Sequence, residues 1–112
     1  MSMGLYIGRS KEKVDYDGDF ASFPQDINEY VFDNQHLLPF DVSPLLQIDP
    51  FSDTFLTTEQ VKKLKVTTEH ILHSPVLRFD ELNYNSLKKV LILLNKAIEK
   101  GLGVLVEGDW VV

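Results

Sequence analysis

NYNSLKKVLILLNKAIEKGLGVLVE, residues 83–107, decides the fold class. Leu87, Val90, Leu91, Leu94 and Ile98 recur at i, i+3, i+4, i+7 and i+11, which is one apolar stripe of an α-helix. Asn83 or Asn85 can cap its start, Lys96 and Lys100 suit its last turn, and Gly101 suits the left-handed position at which helices end. GVLVE (103–107), entered through the glycines, has the β-branched composition of a strand. A periodic helix handing over to a strand points to a sheet with helices packed on it.

Working back from there, LLQIDPFSDTFLTTEQVKKL (45–64) runs from an apolar stretch through a Pro and two Asp into a second helix start. Thr57 and Gln60 stand at capping-box spacing, and Glu59 places negative charge where the helix dipole favours it, so a helix is predicted from near Thr58. Val61, Leu64, Thr68, Ile71 and Leu72 form its core face, Lys62, Lys63, Lys65 and Glu69 face water, and Ser74 with Pro75 stops it. Nearer the N-terminus, GLYIGR (4–9) alternates Leu5 and Ile7 against Tyr6 and Gly8 as a first strand. SFPQDINEYVFDNQ (22–35) is predicted as a short first helix, with Ser22 and Gln25 at capping-box spacing, Pro24 in the first turn and Ile27, Tyr30 and Val31 inward. HLLPFD (36–41) is a turn, VSPLLQID (42–49) a second strand with Pro44 at its start, and PVLRFDE (75–81) a short third strand. The expected fold is therefore α/β or α+β, a small four-stranded sheet with about three helices packed on it, as one domain over residues 1–112. SPLL at 43–46 and SPVL at 74–77 are too short an echo to be a repeat.

Composition narrows the chemistry. Of the 112 residues 44% are apolar and 25% charged, which is globular rather than disordered. The absence of Cys excludes disulfides, thiolate ligands and a cysteine nucleophile. The start, MSMGLYIGRSKEK, lacks a basic leader ahead of an apolar run, and no stretch approaches the ~20 apolar residues that span a bilayer, so a cytoplasmic protein without membrane contact is expected.

No catalytic or metal signature has the spacing its chemistry requires. DYDGD (15–19) sets Asp15, Asp17 and Asp19 at alternate positions, but Gly18 and Asp26 fall where an EF-hand needs a different Gly position and a bidentate Glu. A solvated acidic turn explains it as well. Glu69, His70 and His73 could share a helix face, yet three adjacent groups at a helix end do not make a zinc site without further ligands. His36 stands alone before a turn. Ser43 and Ser74 both precede Pro, outside any nucleophile elbow. The glycines of GLGVLVEG follow a helix and enter a strand, the reverse of a phosphate loop. No enzyme activity, metal or cofactor is expected. Asp49 and Asp53 suit a turn and a helix N-terminus, while Phe51 and Phe55, expected exposed, keep an interface in view.

Charge is unevenly placed. Between residues 14 and 61 there are ten carboxylates and no Lys or Arg, so with a net charge of −6 the remainder carries +4. If that segment shares one surface, its single-sign field would steer a basic partner and disfavour nucleic acid. It also serves solubility.

The opening MGLY (3–6), the apolar strand running into an acidic, aromatic turn and then a T-T-E-Q helix start, and the terminal helix followed by a glycine-led strand together resemble immunity protein 70, a family of small bacterial immunity proteins. The family is associated with polymorphic toxin systems, so the resemblance implies a protein that protects its own cell by neutralising a cognate toxin. Where the family pattern would place an Asp-Gly-Glu-Trp-like turn before the helix, this chain has Ser52, Asp53, Thr54 and Phe55. Carry-over is confined to Asp49, Asp53 and Phe55.

The expected function is a non-catalytic binding protein whose acidic surface occludes a basic toxin domain, with Asp15, Asp17, Asp19, Asp49, Asp53 and Phe55 as partner-binding residues. The alternative is a small-molecule or metal-binding domain, or a minor enzyme, with Glu69, His70 and His73 as ligands. A third reading, a homodimer, uses the apolar tail Trp110, Val111 and Val112.

Overall fold

The hub of the sheet is β1 (Ser2–Ser10), in which Met3, Leu5 and Ile7 are buried on one face while Gly4, Tyr6 and Gly8 lie on the other. The structure, a computed structural model, describes residues 2–108. β1 pairs antiparallel with the short β2 (Lys13–Val14) and with β3 (Phe20–Pro24), and on its other side with β5 (Gly103–Glu107), which in turn pairs with β4 (Thr54–Leu56). All pairings are antiparallel. Among the described residues four α-helices accompany the five strands, α1 (Gln25–Asn34), the one-turn α2 (Ser43–Leu46), α3 (Thr58–Leu72) and α4 (Glu81–Lys100), with a 3-10 turn at Gln35–Leu37. The mixed class expected from the sequence is observed, with more strands and helices than were counted there.

α4 follows its pattern closely. Leu87, Val90 and Leu94 are buried, with Leu91 and Ile98 half-buried beside them. Its cap is Asp80 rather than Asn83 or Asn85: the Asp80 carboxylate accepts the Asn83 N–H at 2.8 Å, which moves the start one turn earlier. Gly101, at φ 65°, takes the left-handed position, and the Leu102 N–H returns to the Ala97 carbonyl. The capping box on α3 is also present, Gln60 N–H to the Thr57 hydroxyl at 3.4 Å and Thr57 N–H to the Gln60 side chain at 2.9 Å.

Three further expectations are corrected. Ser22 does not cap α1, because it lies in β3 opposite Gly4; Pro24 precedes the helix with no side-chain cap. VSPLLQID is not a strand: Ser43–Leu46 is a helical turn with Pro44 near its start, where a missing N–H costs nothing. PVLRFDE is not a strand either but an irregular link, tied down by buried Leu77 and by the Tyr30 hydroxyl accepting the Arg78 N–H at 3.0 Å. Apolar content called these segments strands, and proline chemistry made them a turn and a connection.

One core results. Met3, Leu5, Ile7, Val104 and Val106 on the inner face of the sheet meet Ile27 and Val31 of α1, Leu45 of α2, Val61, Leu64 and Ile71 of α3, and Leu87, Val90 and Leu94 of α4. Tyr6, Phe20, Phe55 and Leu105 do not belong to that cluster. The helices therefore occupy one face of the sheet and leave the other without them.

Candidate functional site

Alternation along the strands selects what the helix-free face displays. Tyr6 is the cross-strand partner of Phe20 on one side and of Leu105 on the other, and Leu105 is the partner of Phe55. One row, Phe20–Tyr6–Leu105–Phe55, thus crosses four strands. Beside it lies the row Ser22–Gly4–Glu107. The turn after β2 adds Tyr16, whose ring meets that of Tyr6 edge-on at 4.9 Å between centroids; the Phe20 ring is 5.2 Å from Tyr6. Exposure falls from Phe20 to Leu105. Tyr16 and Phe20 are 56% and 54% exposed, whereas Leu105 is 1% exposed and Phe55 half-buried.

Carboxylates surround the aromatic end. Asp15 and Asp17 flank Tyr16, and the Asp15 carboxylate accepts the Asp17 N–H at 3.2 Å, which folds the turn on itself. Glu107 stands in the neighbouring row. Burial, then the negative charge of Glu107, then Tyr16 push the Tyr6 phenol above its ordinary value, so Tyr6 stays neutral at physiological pH.

The six residues expected at an interface are divided by the structure. Register brings Phe55 into the outer row, while Asp15 and Asp17 stay in the turn on either side of Tyr16, where Asp15 also lines the cleft beside Lys13 and Lys100. Asp19 turns to the helical layer, where the Lys96 ammonium donates to it at 2.8 Å; that hydrogen bond, reinforced by the Lys96 and Lys100 charges, holds its carboxyl below the usual range. Asp49 is spent locally, accepting the Phe51 N–H and the Ser52 hydroxyl, each at 2.9 Å. Asp53 accepts the Gly108 N–H at 3.2 Å and so ties the end of β5 to the loop before β4. The 45–64 stretch is thus chiefly a connection. Of its two aromatics Phe51 is exposed and Phe55 is not fully so.

The alternative ligands do not converge. His70 stacks on Phe40 at 5.0 Å, Glu69 pairs with Lys65 at 3.9 Å, and His73 ends α3. Among the described residues no three His, Asp or Glu side chains are placed to hold a metal ion. A cleft of about 500 Å³ between the β1–β2 hairpin and the end of α4 sets Arg9, Lys13 and Lys100 among Glu12, Asp15 and Asp19, a mixture that suits no ligand of single sign. A shallower groove of about 400 Å³ beside α3 pairs Phe40 and Val66 with Lys62 and Lys63. Among the described residues no helix is long and apolar enough to cross a membrane. Trp110, Val111 and Val112 lie outside the described residues.

Sequence reasoning missed Tyr6, Tyr16, Phe20 and Glu107. The available signal was the opposite phase of β1: if Leu5 and Ile7 face the core, Tyr6 must face away, and an aromatic there needs a partner. β3 is hidden because its last three residues, Ser22–Pro24, fall within the stretch that reads as the first helix.

Fold and face together define the chain as an antiparallel α+β protein with an aromatic, acid-rimmed sheet surface. No family model, curated protein or solved structure matches it.

Proposed function

We propose that the protein is a non-catalytic binding protein that holds a basic protein against the open face of its sheet. The observation that carries this reading is the exposed end of the row, where Tyr16 and Phe20 meet the half-buried Tyr6 ring, with Glu107 in the neighbouring row and Asp15 and Asp17 on either side of Tyr16 in the turn. Aromatic side chains supply contact area with little loss of conformational freedom, and tyrosine is enriched where binding energy concentrates. The carboxylates beside that end, Asp15, Asp17 and Glu107, choose the sign of the partner. The resemblance to immunity protein 70 gives this reading a specific form, in which the basic partner is a toxin domain neutralised in the cytoplasm by occlusion.

The test uses the C-terminal domain of the protein encoded by the adjacent gene. Co-expression should restore growth to cells that make that domain. In surface plasmon resonance a variant with Asp15→Asn, Asp17→Asn and Phe20→Ala should bind more weakly, with a slower association rate at low salt and a smaller difference as salt rises, because exposed charges are screened over about 8 Å at physiological ionic strength. Killing unaffected by co-expression overturns the immunity form. Rates equal to those of the unaltered protein overturn the face.

A further inference from the structure

The aromatic end of the open face has a particular shape. Gly4 lies between Ser22 and Glu107 in the row next to Tyr6, and a Cβ there would come within 3.3 Å of both the Phe20 and Tyr6 rings and 3.6 Å of the Tyr6 hydroxyl. The two rings thus lean over the bare backbone of Gly4, the cross-strand partner of Glu107. Tyr16 closes the other side against Tyr6. Glu107 makes no ion pair among the described residues, stands in the strand position opposite Gly4, and its charge reaches Tyr6. An uncompensated carboxylate beside ring faces is an arrangement that a flat cation completes.

We infer that Tyr6, Tyr16, Phe20 and Glu107 form the anchor point for an arginine side chain of the partner, stacked on the rings and paired with the Glu107 carboxylate. A guanidinium fits better than an ammonium for two reasons. It is planar and weakly hydrated, so it stacks on aromatic rings at small desolvation cost, and its fork of N–H donors matches both carboxylate oxygens. Lysine, a compact and strongly hydrated charge, gains less from such a surface. The inference rests on the open face being the binding surface, and it adds which side chain that surface takes.

The test needs no partner protein. The full chain is titrated with N-acetyl-arginine amide and followed by NMR. The expected result is a saturable shift of Tyr6, Tyr16 and Phe20 ring resonances, with no such response to N-acetyl-citrulline amide, which keeps the shape without the charge. Glu107→Gln, a surface change of no added bulk, should weaken the interaction about tenfold, as should Tyr6→Leu, whose folding is checked by its amide spectrum. Absence of saturable shifts, an equal response to citrulline, or shifts centred elsewhere overturns the anchor. Equal binding of N-acetyl-lysine amide overturns its assignment to arginine. The failure of this titration leaves the co-expression result intact, and failure of co-expression leaves an arginine site intact, so the two readings fall separately.

Discussion

The two faces of one sheet are built from the same strands and obey different rules. On the inner face Met3, Leu5, Ile7, Val104 and Val106 are sealed under four helices. On the outer face the same strands present Gly4, Tyr6, Leu105 and Glu107, joined by Phe20 and Phe55 from their neighbours. The inner residues are all apolar and nearly fully buried, as a packed core requires. The outer ones mix rings, glycines and a carboxylate, a composition that folding alone does not ask for. Side chains that stability leaves free are where a surface can acquire a binding role.

That contrast predicts a large difference in mutational cost. Leu94→Ala, in the middle of α4 and wholly buried, should cost about 2–5 kcal/mol through lost burial and a residual cavity. Phe20→Ala, on the exposed end of the outer row, should stay within roughly 1 kcal/mol. Urea unfolding of the two variants measures both. Equal losses would mean that the outer face is as structural as the core, and the division drawn between them would fail.

The inner face was the legible one. Period-two alternation in β1 and the stripe of α4 each depend on burial against many partners, so a wrong phase would expose a whole set of aliphatic residues. The capping box at Thr57 and the glycine at 101 are similarly local and were readable without the fold. β2, β3 and β4 escaped because each is short and owes its extended form to β1 or β5 rather than to its own residues. The candidate site was half legible for the same reason. Asp15, Asp17 and Phe55 stood out as residue types, but only the register brings Phe55 into line with Tyr6. Asp19 looked equivalent to Asp15 until a lysine 77 residues away claimed it.

A middle-sized effect tests whether the buried end of the outer row is shaped by close approach. A Cβ on Gly103 would fall 2.5 Å from Phe55 Cζ and closer still to the Leu56 carbonyl oxygen, which is backbone and cannot swing aside. Gly103→Ala must therefore move β4 or turn the Phe55 ring, at about 1–3 kcal/mol. The thermal midpoint should drop and the Phe55 ring resonances should shift. An unchanged midpoint would show that this end of the row is loose.

The smallest effect concerns the turn that holds Tyr16 and Phe20 at the outer face. Asp19 lies between them in sequence and reaches back to Lys96 on the helical layer, so this one ion pair links the two sides of the sheet. Its carboxyl is held below the ordinary range by the Lys96 hydrogen bond first and by the Lys96 and Lys100 charges after it. A carboxylate with a lowered folded-state value contributes stability above its unfolded value, and that contribution is lost as the pH falls through the lowered one. Unaltered protein should therefore melt slightly above Asp19→Asn at neutral pH. The gap should persist down to the ordinary carboxylate range, then close under stronger acid, and it should narrow with added salt because the pair is partly exposed. A gap that widened in acid would reverse the sign and remove the pair as the tether. In that case the turn would be held by the β1–β3 ladder and the Asp15 N–H to the Ile7 carbonyl without help from the helical layer.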